Sequence, residues 1–530
     1  MAAIRFENVH FHYDEPFAPV FEGLSVAIDT QWRTALVGRN GRGKTTLLQL
    51  LRREIWPTRG VVAGPAETSY FPYEPREPAR PTLQVIRECI APFDSWEGEM
   101  ETLLRRADDQ SLARYGQVLE TYENLGGYDV DARIEREMRA LGMDPRLLPQ
   151  SYESLSGGEQ TRALIVALFL RKDRFPLIDE PTNHLDMEGR ELLGAYLASK
   201  AGFLLVSHDR HFLDLCTDHV LAMRRKDVEL TAGSFSEWKR QADRAEEHER
   251  RTREKLEREV RSLERAARQR RQWSDTKEKE KIGSKDDKGR IGHLAAKQMK
   301  RALSIKRRTR ERVEKKRSLL RNAEKERQLK LEPKRGARES LLSVVNLGVD
   351  IGSREILSRL NFTLAKGERV AVVGPNGSGK TTLLSTIAGE LEPTRGSVDL
   401  PRHVSRIVSH QVPRWNRGLL RDHLEREEID ETRFRTILGS LSVSGAVFDR
   451  PLETFSQGER KKVDLCRSFL EPTHLLLWDE PLNYIDLASR DQIERVVLQH
   501  EPTLLFVEHD RWFVERVATG VVDLGSPSPA

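Results

Sequence analysis

Short apolar runs recur along the chain in two separated stretches. Thr34 to Gly38 (TALVG) and Val370 to Gly374 (VAVVG) each read as a buried strand, bounded by glycine. Each runs into a glycine-rich turn and then a helix, which in the first stretch opens at Thr46 with Leu-Leu-Gln-Leu-Leu. The opening Met-Ala-Ala-Ile-Arg-Phe-Glu is also strand-like, with no signal-peptide pattern. The longest apolar run, Ala163 to Leu170, falls far short of the about 18 residues a membrane span needs.

From about Arg240 to Arg338 the pattern changes. Leu256, Val260, Leu263 and Ala267 are spaced 4, 3, 4, an a/d seam of a coiled coil, and Val313, Leu320 and Ala323 carry a thinner version. Gly283, Gly289 and Gly292 lie between and interrupt helix. Two antiparallel helices are predicted, and one of about 30 residues would reach roughly 45 Å. The predicted organisation is therefore 1–239, a helical linker 240–338, and 339–530, with a helical insertion at about 88–139. That insertion reads equally as an elaborated subdomain or as an arm for a partner.

Charge sharpens this division. The net charge of +5 conceals 36 Lys and Arg against 18 Asp and Glu in 240–338, and 52 against 65 elsewhere. Two acidic bodies carry one segment of net +18, which points to a polyanionic partner for that segment alone. Cys89, Cys216 and Cys466 have neither metal-ligand spacing nor a disulfide framework, and read as buried thiols of a reducing compartment.

Four landmarks occur twice in the same order. Gly38 to Thr46 (GRNGRGKTT) matches Gly374 to Thr382 (GPNGSGKTT), and Leu155 to Glu159 (LSGGE) matches Phe455 to Glu459 (FSQGE). Leu177 to Pro181 (LIDEP) matches Leu477 to Pro481 (LWDEP), and Val206 to Arg210 (VSHDR) matches Val507 to Arg511 (VEHDR). The first pair is offset by 336 residues and the others by 300, 300 and 301, so the first copy's extra length lies between its first two landmarks.

A triphosphate needs aligned N–H donors, a cation and a metal. Gly38, Asn40, Gly41 and Gly43, with Gly374, Asn376, Gly377 and Gly379, can turn backbone amides inward around phosphates. Lys44 and Lys380 would reach the terminal phosphates, while Thr45 and Thr381 would bind Mg²⁺ with Thr46 and Thr382 beside them. Asp179 and Asp479, each ending an apolar strand, would complete the metal shell. Glu180 and Glu480 follow directly and could orient or deprotonate the attacking water. His208 and His509 recur at the same place and read as γ-phosphate sensors.

The LSGGE and LIDEPTNHLD segments resemble the signature and Walker B motifs of ATP-binding cassettes. The fold the resemblance implies is α/β, with two P-loop cassettes in tandem joined by a long antiparallel helical hairpin. In that family two cassettes pair head to tail, here within one chain. Ser156, Gly158 and Glu159 would then cap the ATP on Lys380, and Ser456, Gly458 and Glu459 the ATP on Lys44.

Two cassettes around a basic helical linker resemble the ABC-F class of translation factors. FSQGERKK, LWDEPLNYIDLASRDQIE and GFLLVSHDRHFLD resemble its Lsa-type antibiotic-resistance branch. The resemblance implies an ATPase that binds the exit site of the 70S ribosome in the cytoplasm, without DNA or membrane. Its linker would approach 23S rRNA, the peptidyl-site tRNA and a drug at the peptidyl-transferase centre. A housekeeping translation factor and, further off, the ATPase subunit of an exporter are the rival readings. Departures from the family pattern stand out. Tyr70 to Tyr73 (YFPY) replaces the glutamine that Gln411 keeps, Gln457 replaces a glycine, and PLNYID stands for PTNHLD. Tyr13 could stack on adenine, where the second copy has Ile351. Two competent but unequal sites are expected. In the linker, Lys306, Arg307, Arg308, Arg310 and Arg312 form the densest basic run for RNA phosphates. Trp273 is either a stacking residue or a packing anchor.

Overall fold

The computed structural model describes residues 3–14, 17–64, 67–172, 174–224, 228–248, 329–331, 333–334, 340–470 and 472–525, with scattered positions between 250 and 265. Trp273, Lys306, Arg307, Arg308, Arg310, Arg312 and the coiled-coil positions of the linker lie outside the described residues. The chain divides into two compact units, Met1–Ser236 with Gln328–Ala530, and Glu237–Arg327.

The two apolar runs form central strands, as continuous burial of a parallel sheet requires. In the N-terminal half Arg33–Gly38 lies inside a six-stranded sheet. Its order is Thr68–Phe71, Phe175–Asp179, Phe203–Val206, Arg33–Gly38, His219–Met223, Val228–Ala232, parallel except for the last pair. Ala35, Leu36 and Val37 are buried there. The C-terminal half repeats the arrangement with five parallel strands, in the order Arg406–Ser409, Leu475–Asp479, Leu504–Val507, Arg369–Val373, Gly520–Asp523.

Each half adds a three-stranded antiparallel sheet, with Ala3–Asp14 between Phe17–Asp29 and Arg59–Ala63, and Ser340–Ile351 between Arg354–Ala365 and Arg395–Asp399. One core per half joins this sheet to the P-loop helix, around Leu47 and Leu48 in the first and Leu383 and Leu384 in the second. Helix Thr82–Ile90 corresponds to Leu420–Arg426, and Val130–Ala140 to Glu431–Ser440. The first half's extra chain is therefore the helix pair Phe93–Arg106 and Asp109–Leu125. Arg87 ties the first of these helices, through Asp94 and Glu97, to helix Val130–Ala140 through Asp131. The three cysteines are buried and free. No helix among the described residues is long and apolar enough to cross a membrane.

Candidate functional site: paired nucleotide sites

The carboxyl ends of parallel strands, next to helix N-termini, are where an α/β sheet offers a ligand site. Helices Lys44–Leu51 and Lys380–Ala388 start at Gly43 and Gly379, both left-handed (φ 91° and 92°), with no side chain capping the first turn. Their amides are left for an anion. Only glycine fits at these starts: a Cβ on Gly43 would lie 2.5 Å from Val20 Cγ1, and one on Gly379 2.7 Å from Leu357 Cδ2. Lys44 Nζ donates to the Gly38 carbonyl at 2.7 Å, and Lys380 Nζ to the Gly374 and Pro375 carbonyls at 2.8 Å. Both ammonium groups thus sit inside their own loops, and burial lowers both lysine pKa values.

Thr45 and Thr381 are exposed on the first helical turn, whereas Thr46 is buried and its hydroxyl meets Tyr13 Oη at 3.1 Å. Tyr13 is 42% exposed and packs edge-on against Phe11, so its ring is available to an adenine. Asp479 Oδ1 is buried with no hydrogen-bond partner, and its carboxylate lies beside the Thr381 side chain. An orphaned carboxylate oxygen beside a threonine suits a hard divalent cation, and Mg²⁺ held there would offset phosphate charge. Burial raises the pKa of both aspartates.

Glu180 and Glu480 adopt the left-handed region (φ 51° and 47°), a strained conformation kept in both copies. It brings Glu180 Oε1 within 3.4 Å of His208 Nε2, and Glu480 Oε1 within 3.6 Å of His509 Nε2. Their electrostatics diverge. Burial, with the Asp179 charge, pushes Glu180 up to about 8. Burial also raises Glu480, but the His509 hydrogen bond and charge, with Gln411, outweigh it and hold it below the usual range. Burial, with the Lys44 and Arg490 charges, keeps His208 well below its ordinary value and hence neutral at pH 7.

The signature residues cap helices Gly157–Leu170 and Gln457–Arg467. Ser156 with Glu159, and Ser456 with Glu459, form reciprocal capping boxes. Each signature lies beside the other half's P-loop. Asn376 donates its backbone N–H to Asp186 at 3.2 Å and its side-chain amide to the His184 carbonyl at 3.3 Å. A Cβ on Gly158 would stand 3.2 Å from that same carbonyl. Across the pseudo-symmetry, a Cβ on Gly458 would stand 3.5 Å from Asn40 Nδ2 and 2.6 Å from the Tyr484 carbonyl, so only glycine fits. Arg190 spans the halves, bonding Asp209 at 2.8 Å and the His509 carbonyl at 3.0 Å. The two halves therefore pair head to tail within one chain.

Residues 21–183 and 357–483 match the ABC transporter family. The tylosin resistance ATP-binding protein TlrC of Streptomyces fradiae is 31% identical over 523 residues, covering 93% of this chain and 92% of that one. The chain is an ABC-F protein. Other ABC-F relatives are the ATP-binding protein Uup of Caulobacter vibrioides, 29% identical over 96% of this chain and 75% of its own length, and the energy-dependent translational throttle protein EttA of Escherichia coli, 26% identical over 96% and 90%. Among solved structures, RNase-L Inhibitor is similar with a TM-score of 0.55 at 20% identity, over 98% of this chain and 87% of that chain, and shares the fold. The matched family makes this ABC-F chain an ATPase, with ATP as its ligand.

Several residues at the sites carry no motif signal. Tyr70 donates its hydroxyl to Asp179 Oδ2 at 3.2 Å. By strand alignment it is Tyr73, not Tyr70, that occupies the place of Gln411. Glu508 accepts the Leu482 N–H at 2.7 Å. Lys461 and Lys462 are both 2% exposed. A lysine whose partners are backbone carbonyls leaves no trace in sequence.

Proposed function

We propose that this ABC-F ATPase acts on the ribosome: it enters the exit site with two ATP molecules bound and leaves after hydrolysis. Its basic linker repositions the peptidyl-site tRNA and displaces an antibiotic at the peptidyl-transferase centre. The observation that carries the reading is the pairing of two ATP sites within one chain, on either side of a segment of net +18. Kinship with TlrC along nearly the full length of both chains supports the resistance branch.

In each site the lysine and the loop amides bind phosphate, and Thr45 with Asp179, or Thr381 with Asp479, holds Mg²⁺. Glu180 and Glu480 take the proton of the attacking water, oriented by His208 and His509. Ser156, Gly158 and Glu159, and Ser456, Gly458 and Glu459, close the site across the pair, so ATP favours the closed state. Lys306, Arg307, Arg308, Arg310 and Arg312 neutralise RNA phosphates, with a steep salt dependence. The work is cytoplasmic.

The test is cosedimentation of the Glu180→Gln, Glu480→Gln double variant with 70S ribosomes. Accumulation in ATP but not ADP is expected, and its absence removes the ribosome from the account. A housekeeping role in translation is the second reading, favoured by kinship with EttA. It predicts that deletion leaves tylosin, lincosamide, streptogramin A and pleuromutilin susceptibility unchanged, whereas ribosome protection predicts sensitisation to at least one of these drugs.

A further inference from the structure

One buried charge near the second site, Lys461, bonds backbone carbonyls alone. Lys461 lies on helix Gln457–Arg467, one turn beyond the signature residues Ser456 and Gly458. Its Nζ donates to the His410 carbonyl at 2.7 Å and to the Asp479 carbonyl at 2.9 Å. Those two carbonyls belong to the residues immediately before Gln411 and Glu480. The Gln411 side chain faces Glu480 and helps hold its carboxyl below the usual range. A second tie runs from the same helix, where Asp464 accepts the Ser409 hydroxyl at 2.6 Å. One helix thus holds the backbone on both sides of the base of the second site.

The first copy lacks this device. At the 300-residue offset, Lys461 and Asp464 correspond to Thr161 and Leu164, and strand alignment pairs Ser409 with Phe71 and His410 with Pro72. An ammonium group taken out of water is costly unless its donors are matched, so it stays only where geometry rewards it. Here the reward is a fixed distance between the signature helix and the two loops that meet at Glu480.

We propose that Lys461 is a positioning residue of the second ATP site, and that through its helix it links the two sites. It touches no nucleotide. It fixes Glu480 and Gln411 relative to Ser456, and Ser456 lies on the side of the ATP held by Lys44. Loss of the ammonium would let Glu480 drift, which lowers turnover at the second site. It would also loosen the signature, which weakens ATP binding at the first. This inference rests on Glu480 acting on the attacking water at the second site.

The experiment compares Lys461→Met and Lys461→Thr, the latter installing the side chain the first copy carries at this place. Each is made in full-length protein, once with Glu180→Gln, so that turnover reports the second site, and once with Glu480→Gln, so that it reports the first. In the Glu180→Gln background kcat is expected to fall on the order of ten- to a hundred-fold, with KM nearly unchanged. In the Glu480→Gln background KM should rise while kcat holds. Equal losses of kcat in both backgrounds would show a merely structural lysine and overturn the proposal, as would unchanged kcat in the first. Full turnover in the Glu180→Gln, Glu480→Gln double variant would instead count against the assignment of Glu480, whatever Lys461 does.

Discussion

The two ATP sites share left-handed glycines at their P-loop helices and left-handed glutamates, yet are held together by different chemistry. Around the first, support comes from hydroxyls and apolar packing: Tyr70 holds Asp179, and Thr182 meets Ser207 at 3.4 Å. Around the second it comes from buried charge. Lys461 grips two carbonyls and Glu508 takes the Leu482 amide, while on the same helix Lys462 pairs with Asp486 at 2.5 Å and the pair faces Lys44 and His208 of the first site. The strained glutamate is the same in both, yet its proton affinity moves in opposite directions. Shared phosphate chemistry fixes the loops, whereas the scaffold behind them is free to differ, and through it so are the acidities of the bases.

The sharpest test of that contrast is turnover with one base at a time. Glu180→Gln and Glu480→Gln should each cost their own site about 10²- to 10⁴-fold. Steady-state ATP hydrolysis by the two single variants measures what remains. In the Glu480→Gln variant, which leaves Glu180, kcat is expected to rise with pH through about 8, because a base must be deprotonated to act. The Glu180→Gln variant should show no such rise from its own carboxylate, which is held below the usual range. Identical pH profiles would break the comparison.

The same asymmetry has a stability counterpart. A carboxylate whose folded pKa is raised costs stability progressively as pH climbs from its unfolded value, roughly 4.3, toward the folded one. Glu180→Gln should therefore stabilise the protein near pH 8, with the gain vanishing below about pH 4. Glu480, depressed in the fold, contributes stability at neutral pH that is lost as pH falls through its folded value, so Glu480→Gln should destabilise. Opposite shifts in thermal midpoint at pH 8 are the expected observation.

The buried pair Lys462–Asp486, with side chains 3% and 1% exposed, gives the next effect. Lys462→Met leaves Asp486 charged and unpaired, at a cost of about 3–5 kcal/mol. The corresponding Arg162 is half-buried and bonds the Leu141 carbonyl at 3.1 Å, so Arg162→Met should cost only about 1 kcal/mol. Denaturant titration of both variants separates the two values. Equal costs would mean that buried charge is not what distinguishes the second scaffold.

How far the sequence carried this picture depended on what each residue bonds. Lys44, Thr45, Asp179 and Glu180, with their counterparts, are dictated by phosphate, metal and water, so residue type and spacing expose them. The apolar runs that end in Gly38 and Asp179 likewise have to be strands. Lys461 and Lys462 were opaque because their acceptors include the His410, Asp479 and Leu441 carbonyls, which any residue supplies. Tyr70 to Tyr73 registered as a missing glutamine, but the hydroxyl that reaches Asp179 became visible only once the strand was placed. The linker's heptad positions and densest basic run, legible as spacing and charge, lie beyond the described residues.

The smallest effect concerns the seam between the halves, where one contact is written twice. Arg210 pairs with Asp491, and its counterpart Arg511 pairs with Glu191 at 2.7 Å. The first arginine is 7% exposed and also holds Glu494 at 3.1 Å, while the second pair stands half in solvent. At Glu494 the first copy has Gly194, so the extra carboxylate is what encloses Arg210. Arg210→Ala removes a buried cation shared by Asp491 and Glu494, the latter keeping Arg516 at 2.9 Å, which should cost about 3 kcal/mol and persist in high salt. Arg511→Ala removes an exposed pair, so about 0–1 kcal/mol is expected, fading as salt shortens the screening length. Thermal denaturation of both variants at about 0.05 and 1 M salt decides the matter. If Arg511→Ala proved as costly and as salt-insensitive as Arg210→Ala, the two faces of the seam would be equivalent, and the difference between the sites would have to arise within each half and not between them.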